Sequence, residues 1–246
     1  MMPVLFFVFS AAALFGAGSP EAVEVRESGF HDSEDSGTPI SLPPPKSAGE
    51  LSLEESLDTR GAQRSYSDRP LALNDLSQLL WAGCGQQTDA VSGATGTAPS
   101  AGGLYPQELF VFVGDVEDSE GSPDGEPDSG VYGYDPEEHR LLPIQGEDLR
   151  EELARAALNQ RFIAEAPAVI VIGAVAERTA AKYGERGADR YVYMDVGHSA
   201  QNISLQSTAL GLASAPVGAF DDRDVSALLG ETDASPLYII PVGHPR

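Results

Sequence analysis

The chain is expected to fold as an α+β protein. Apolar runs of strand length, at residues 108–113 and 167–175, alternate irregularly with helical stretches such as 70–81 and 191–210. That mixture lacks the regular strand–helix repeat of a doubly wound sheet. A third observation is a hairpin signal, in which 131–134 and 140–144 flank Asp135 and Pro136.

The elements follow in chain order. Residues 1–18 are apolar and small residues follow, so 1–20 reads as a secretory signal peptide or an N-terminal membrane anchor rather than a core helix. The expected location is therefore exported, periplasmic or membrane-anchored, with the cytoplasm as the alternative. Residues 21–50 are acidic and Pro-rich, and read as a disordered linker. The folded domain is expected over 51–246. Ser52 and Glu55 have the spacing of a capping box and start a helix. The helix over 70–81 presents Leu73, Leu76, Leu79 and Leu80 on one face, and Gly83 ends it. After the strand at 108–113, residues 114–130 are acidic and rich in Gly and Pro, as in a long exposed loop or insertion. Past the hairpin, 147–158 is helical, with 160–164 as its continuation. The run at 167–175 has no alternation, so it is a strand buried on both faces. A long helix over 191–210 stops at Gly211. A strand over 212–220, a short helix capped by Asp221 and reaching Leu229, and a strand over 236–242 complete the chain.

At 246 residues and 41% hydrophobic composition, the chain can bury a sizeable core. Its formal charge of -23 opposes nucleic acid and anionic membrane surfaces as partners, because both require a basic patch. Many acids and only two lysines, Lys46 and Lys182, fit a protein kept soluble in high salt. Cys84 is the sole cysteine, which excludes an internal disulfide and a thiolate zinc site.

Several groups carry chemistry. Arg60 and Arg64 lie four apart and suit bidentate phosphate binding, although a solvated helix end has the same spacing. The stretch Pro99-Ser100-Ala101-Gly102-Gly103 leaves its backbone bare before a buried strand, so something flat can lie against it. Pro216-Val217-Gly218-Ala219 is a second small-residue loop, where Gly218 lets a backbone N–H reach a ligand. Lys182 is the lysine of the folded region and stands beside Tyr183, a pair suited to proton transfer, or else an exposed helix end. Asp195, His198 and Asn202 share a helical face, reading better as a polar stripe beside a pocket or dimer contact than as a metal site. Neither a P-loop nor a nucleophile elbow is present.

Taken in order, these segments resemble the SagB-type dehydrogenases of the FMN-dependent nitroreductase superfamily. The resemblance runs from about residue 42 to the C-terminus. It rests on Arg60-x-x-x-Arg64, on 76–82, on the loop from Ala98 to Pro106, on 182–187, on 197–202, on 216–222 and on 241–245. It implies a nitroreductase-like fold, with a central, mainly antiparallel sheet flanked by helices, and a homodimer with FMN at the subunit interface. It also implies roles. Pro99, Ser100, Ala101 and Gly102 would pack on the flavin. Arg60 and Arg64, with Arg246 added, would bind its phosphate. Pro216, Val217, Gly218 and Ala219 would lie under the ring with a backbone N–H facing N5. Lys182 and Tyr183 match the acid/base pair of relatives that oxidise azolines. Ala62 stands where many relatives carry a serine, which removes a phosphate-binding hydroxyl. The implied activity is FMN-dependent hydride transfer to or from a small organic or peptide substrate. The alternatives are azoline dehydrogenation and a non-catalytic flavin-binding protein.

Overall fold

The computed structural model describes residues 37–87, 95–118, 122 and 124–246. The expected signal or anchor at 1–20, and the linker up to residue 36, lie outside the described residues. From residue 37 the linker expectation fails. Ile40–Ser41 (β1) pairs with the sheet, and Leu42 and Pro43 are buried. Two adjacent apolar side chains here find sites in the core, so the ordered domain starts well before residue 51.

Leu53–Thr59 (α1) begins at the expected capping box: Glu55 N–H donates to Ser52 Oγ, and Ser52 N–H donates to the Glu55 carboxylate. Leu71–Ala72 (β2) leads into Leu73–Cys84 (α2), whose four expected leucines are all fully buried. Gly83 does not end this helix; the cap is Gly85. Gly83 is small for another reason: a Cβ there would stand 2.8 Å from Ile203 Cδ1. Gln107–Val113 (β3) matches the expected strand. Within the expected free loop, Val116–Glu117 (β4) pairs in parallel with β2, and Asp124 accepts from Ser41 N–H. That stretch is therefore tied down at both ends, while 119–121 and 123 lie outside the described residues. Gly130–Asp135 (β5) and Arg140–Gln145 (β6) form the hairpin.

Arg150–Ala156 (α3) and Phe162–Glu165 (α4) are separate helices rather than one continuing element. Leu158 and Asn159 between them take left-handed backbone angles, φ 58° and 60°, which no α-helix can pass through. Ala168–Ala174 (β7) is buried along its whole length, as expected. Ala176–Tyr183 (α5) follows, then a wide π-type turn at Gly187–Tyr191, then Val192–Ala209 (α6), with Gly211 at φ 69° closing its end. The expected strand over 212–220 shrinks to Ala213–Ser214 (β8) plus a bridge at Val217. Pro216 has no N–H to continue the ladder. Asp221 caps Asp222–Ser226 (α7), and Ser235–Gly243 (β9) is the last strand.

Seven strands form one sheet in the order β1-β6-β5-β3-β7-β9-β8, and every neighbouring pair in it is antiparallel. Alternation sends side chains to two cores. Leu109, Val111, Ile170 and Ile172 meet α2 and α6 on one face. Phe110, Phe112, Val169 and Val171 meet Leu153, Ile163 and Val225 on the other. The result is a three-layer arrangement in which each buried Phe or Ile contributes about 1.5–3 kcal/mol. No helix among the described residues is long and apolar enough to cross a membrane.

His139 fastens the N-terminal arm to this frame. Its Nε2 lies 3.0 Å from the Pro43 carbonyl and 2.8 Å from Ser77 Oγ, and its Nδ1 lies 2.8 Å from the Tyr134 hydroxyl. A carbonyl can only accept, so Nε2 carries the proton and Nδ1 accepts from Tyr134. Burial holds the His139 pKa below the usual imidazole value of 6.5. A depressed pKa means the fold favours neutral imidazole: its contribution is complete above pH 6.5 and is lost as pH falls through the folded value. The stability difference between wild type and His139→Gln, followed by thermal unfolding, should therefore shrink on acidification below about pH 6.5.

Candidate functional site

The loop between Thr97 and Tyr105 is built around a buried acid. Asp195, on the first turn of α6, is 2% exposed. Its Oδ2 accepts from the Ser100 hydroxyl at 2.7 Å and from Ala101 N–H at 3.1 Å. Burial outweighs these bonds and raises the Asp195 pKa above the ordinary aspartate value. Ser100 Oγ in turn accepts from Tyr105 N–H at 2.8 Å. The Ser100 proton and lone pair thus both serve the loop. Along the same helix face, His198 Nδ1 donates to the Pro99 carbonyl at 3.1 Å. Asn202 donates to the Ala82 and Thr97 carbonyls at 3.0 and 3.3 Å. The polar stripe read from the sequence is therefore the brace of this loop.

Closing so short a ring takes left-handed backbone at three of four positions: Gly102 at φ 67°, Gly103 at 68° and Tyr105 at 42°, with Leu104 between them in the right-handed region. The glycines adopt this freely. Tyr105 does not, and it is held by its buried hydroxyl, which accepts from Thr95 N–H and Gly96 N–H at 3.0 and 2.9 Å.

Lys182 and Tyr183 sit at the end of α5 and converge on the same loop. A Cβ on Gly102 would lie 2.7 Å from Tyr183 Oη and 3.1 Å from Lys182 Nζ. Lys182 Nζ also stands 5.7 Å from the centre of the Tyr183 ring. Both side chains are exposed, and Tyr183 meets Tyr191 edge to face at 5.2 Å. Strand registers explain the meeting. Gln107 at the start of β3 pairs with Ala174 at the end of β7, so the loop entering one strand and the helix leaving the other share one end of the sheet.

The arginines gather elsewhere. Ala62 bridges Ser214, and Gln63 N–H donates to the Ser214 carbonyl at 2.9 Å. Tyr66 bridges Pro245, and Arg246 N–H reaches the Ser65 carbonyl at 3.4 Å. This sets Arg60, Arg64 and Arg246 beside β8 and the end of β9. Arg64 lies over the Phe162 ring at 5.6 Å. Among the described residues neither Arg60 nor Arg64 forms an ion pair, and Arg246 has only a long contact of 3.9 Å to exposed Asp68. Guanidinium groups without carboxylates are the donor chemistry that a phosphate needs. The 216–219 loop starts from the same place. Val217 exchanges both backbone bonds with Ile239, at 2.8 and 2.9 Å, so its own N–H is spent. Gly218 and Ala219 are exposed, and the Ala219 carbonyl accepts from Gln160 Nε2 at 2.9 Å.

The expected site residues therefore fall into two groups. Pro99–Gly102 with Lys182 and Tyr183 occupy one end of the sheet. Arg60, Arg64 and Arg246 lie towards the other, where Ala168 pairs with Val242. The seven residues of β7 separate those ends by about 20 Å. Phe162, Gln160, Arg178 and Glu108 belong to the surroundings of these groups and were not singled out from the sequence. An acid opening an apolar strand, and an Arg four residues before Lys182, were the signals available.

A central antiparallel sheet flanked by helices thus carries two bare small-residue loops, and beside it stand Arg60 and Arg64, which form no ion pair among the described residues. The chain belongs to the nitroreductase family, whose model matches residues 57–244. It is 44% identical over 195 residues to a nitroreductase-type protein of Methanocaldococcus jannaschii, covering 79% of this chain and 92% of that one. A solved nitroreductase-type structure from Ralstonia eutropha is 26% identical with a TM-score of 0.68, covering 85% of this chain and 90% of the other. One from Anabaena variabilis is 29% identical with a TM-score of 0.66, covering 79% of this chain but 38% of that one. The E. coli microcin synthetase McbBCD complex shares the fold, with a TM-score of 0.60 at 22% identity over 98% of this chain and 85% of that one. The nitroreductase-like fold expected from the sequence is thus present, and family membership supports a flavin-dependent oxidoreductase.

Gly102→Ala and Gly103→Ala separate two effects. Both carry the left-handed backbone cost, about 1–2 kcal/mol, and should lower unfolding stability similarly. Gly103 has no atom within 4 Å of the added Cβ, whereas at Gly102 the methyl displaces the flexible tips of Lys182 and Tyr183. Amine-labelling mass spectrometry, with Lys46 as internal standard, should therefore show altered Lys182 reactivity in Gly102→Ala alone.

Proposed function

We propose that the protein is an FMN-dependent oxidoreductase of SagB type that moves hydride to or from a small organic or peptide substrate. The observation that carries this reading is the convergence of Lys182 Nζ and Tyr183 Oη on Gly102. FMN, when bound, would supply the hydride chemistry. The chain's own residues would bind, orient and manage protons. Arg60 and Arg64, with Arg246, would hold the phosphate. Pro99, Ala101 and Gly102 would offer a backbone surface to the ring, held in shape by Ser100. Gly218 would present an N–H from the 216–219 loop, where Val217 is already engaged with Ile239. Lys182 Nζ and Tyr183 Oη would deliver or remove the substrate proton.

The separation of the two groups along β7 supports a homodimer in which each FMN is shared. One subunit would supply the arginines and the 216–219 loop, and its partner the 99–102 loop with Lys182 and Tyr183. Exposed Tyr193 and Met194 at the start of α6, and Leu53 and Leu57 on α1, are apolar surface available for such a contact. The Lys–Tyr pair supports proton-coupled hydride transfer more than any particular substrate, and azoline oxidation in a modified peptide stands as the alternative reaction.

Full-length protein in high salt, incubated with FMN and gel-filtered, should retain flavin absorbance. Arg64→Ala should weaken retention by about 10- to 100-fold. Lys182→Ala should keep flavin but slow turnover of a nitroaromatic or azoline peptide by roughly 10²–10⁴-fold. Folded, colourless wild-type protein would overturn the assignment, and flavin retention without turnover of any acceptor would leave a flavin-binding protein. Shared sites make a further prediction. Mixing Arg64→Ala and Lys182→Ala subunits should restore about a quarter of wild-type activity, because half the dimers then carry one intact site. A site within a single chain would give no recovery.

A further inference from the structure

We propose that Arg178 is a positioning residue that sets where Lys182 and Tyr183 stand above the loop, through its buried ion pair with Glu108. The inference rests on the proton-transfer reading of that pair. Arg178 Nη2 lies 2.5 Å from Glu108 Oε1, with the Glu108 side chain 2% exposed and that of Arg178 21% exposed. The same guanidinium reaches the Tyr105 carbonyl at 3.4 Å. Arg178 therefore grips the chain on both sides of Pro106, where the loop becomes β3.

The other holds on the helix that carries Lys182 are apolar or backbone contacts: Ala176 on the core, Gly187 close against the Thr179 carbonyl, and Tyr183 edge to face with Tyr191. Of the residues of α5, Thr179 alone is buried, and Ala176, Ala180 and Ala181 offer only methyl groups. A backbone bond from Val175 N–H to the Pro106 carbonyl, 2.8 Å, fixes the start of the helix but not its rotation. Arg178 and Lys182 are four residues apart and share a helical face. Fixing the Arg178 side chain to Glu108 thus fixes the direction in which Lys182 leaves the helix. Tyr105, the residue that Arg178 also contacts, has its N–H on Ser100, and Ser100 is bound to Asp195. The ion pair joins the acid/base helix to the braced loop through directional bonds. Apolar packing would hold the helix down without defining that angle, and specificity of this kind is the best-supported use of a buried charge pair.

The test uses the chain's two lysines, Lys46 and Lys182, so that each labelled peptide reports one amine. Full-length wild type, Arg178→Met, Arg178→Lys and the double variant Arg178→Met/Glu108→Leu are labelled with an amine-reactive reagent without flavin. The double variant leaves no orphaned charge in the core and guards against simple unfolding. We expect Lys182 labelling relative to Lys46 to rise severalfold in Arg178→Met and in the double variant, with recovery towards wild type in Arg178→Lys. In flavin-loaded protein, kcat should fall by about 10- to 100-fold, with KM held within a factor of about two. A folded double variant with wild-type Lys182 labelling and wild-type kcat would overturn the proposal. Failure of wild type to retain flavin would instead sink the functional reading, and the labelling would still decide the placement of Lys182.

Discussion

A carboxylate taken out of water must be answered by donors, and at Asp195 those donors are two adjacent residues of one loop. Leaving such a charge unanswered costs several kcal/mol. Ser100 O–H and Ala101 N–H satisfy it together, and the loop has no freedom left once they do. The second bond of Ser100, from Tyr105 N–H, then closes a ring over residues 101–104. The ring is too tight for ordinary backbone angles, which is why glycine occupies 102 and 103. The strain at Tyr105, about 1–3 kcal/mol, is offset by the two N–H groups that its hydroxyl receives. The exposed surface at Gly102 follows from a buried acid on the other side of the loop.

The sheet registers distribute function in a comparable way. Antiparallel pairing of β3 with β7 brings the loop before one strand to the helix after the other. Pairing of β7 with β9 sends the C-terminal residues to the opposite end, where the Arg60–Arg64 segment meets them. No side chain chooses this arrangement; it follows from strand direction and length. In the proposed homodimer, a ligand that needs both ends would be served by two copies of the chain, each giving what the other lacks at that place.

Local signals in the sequence were read well where local physics decides. The capping box at Ser52, the leucine face of α2, the fully apolar β7 and the stop at Gly211 each depend on residues within a few positions of one another. Long-range contacts caused the differences. Gly83 looks like a helix end until Ile203 is seen against it. Leu42 and Pro43 look like linker until the sheet receives them. The strand expected over 212–220 ignored the missing donor at Pro216, and the helix expected through 164 ignored the left-handed pair at 158–159. At the site, residue types suggested Lys182, Tyr183 and the small-residue loops, but not that they divide into two groups. Glu108 and Arg178 stayed hidden because their pairing spans 70 positions.

The charge of the chain bears on the same site. On the proposed reading, a net charge of -23 would repel the cofactor phosphate at long range, whatever Arg60 and Arg64 do at contact. The two effects act over different distances. At about 1 M salt the Debye length is roughly 3 Å, so acids elsewhere on the surface are screened from the phosphate. A bidentate guanidinium contact, made inside that length, is weakened far less. In dilute buffer the length grows to roughly 30 Å at about 0.01 M, and the acidic surface then acts on the bound anion almost as a whole. On the proposed phosphate-binding reading, the absence of carboxylate partners at Arg60 and Arg64 among the described residues would acquire a reason. In so acidic a chain, two arginines without ion pairs among the described residues would keep their attraction for an outside anion, and high salt would let that local attraction prevail.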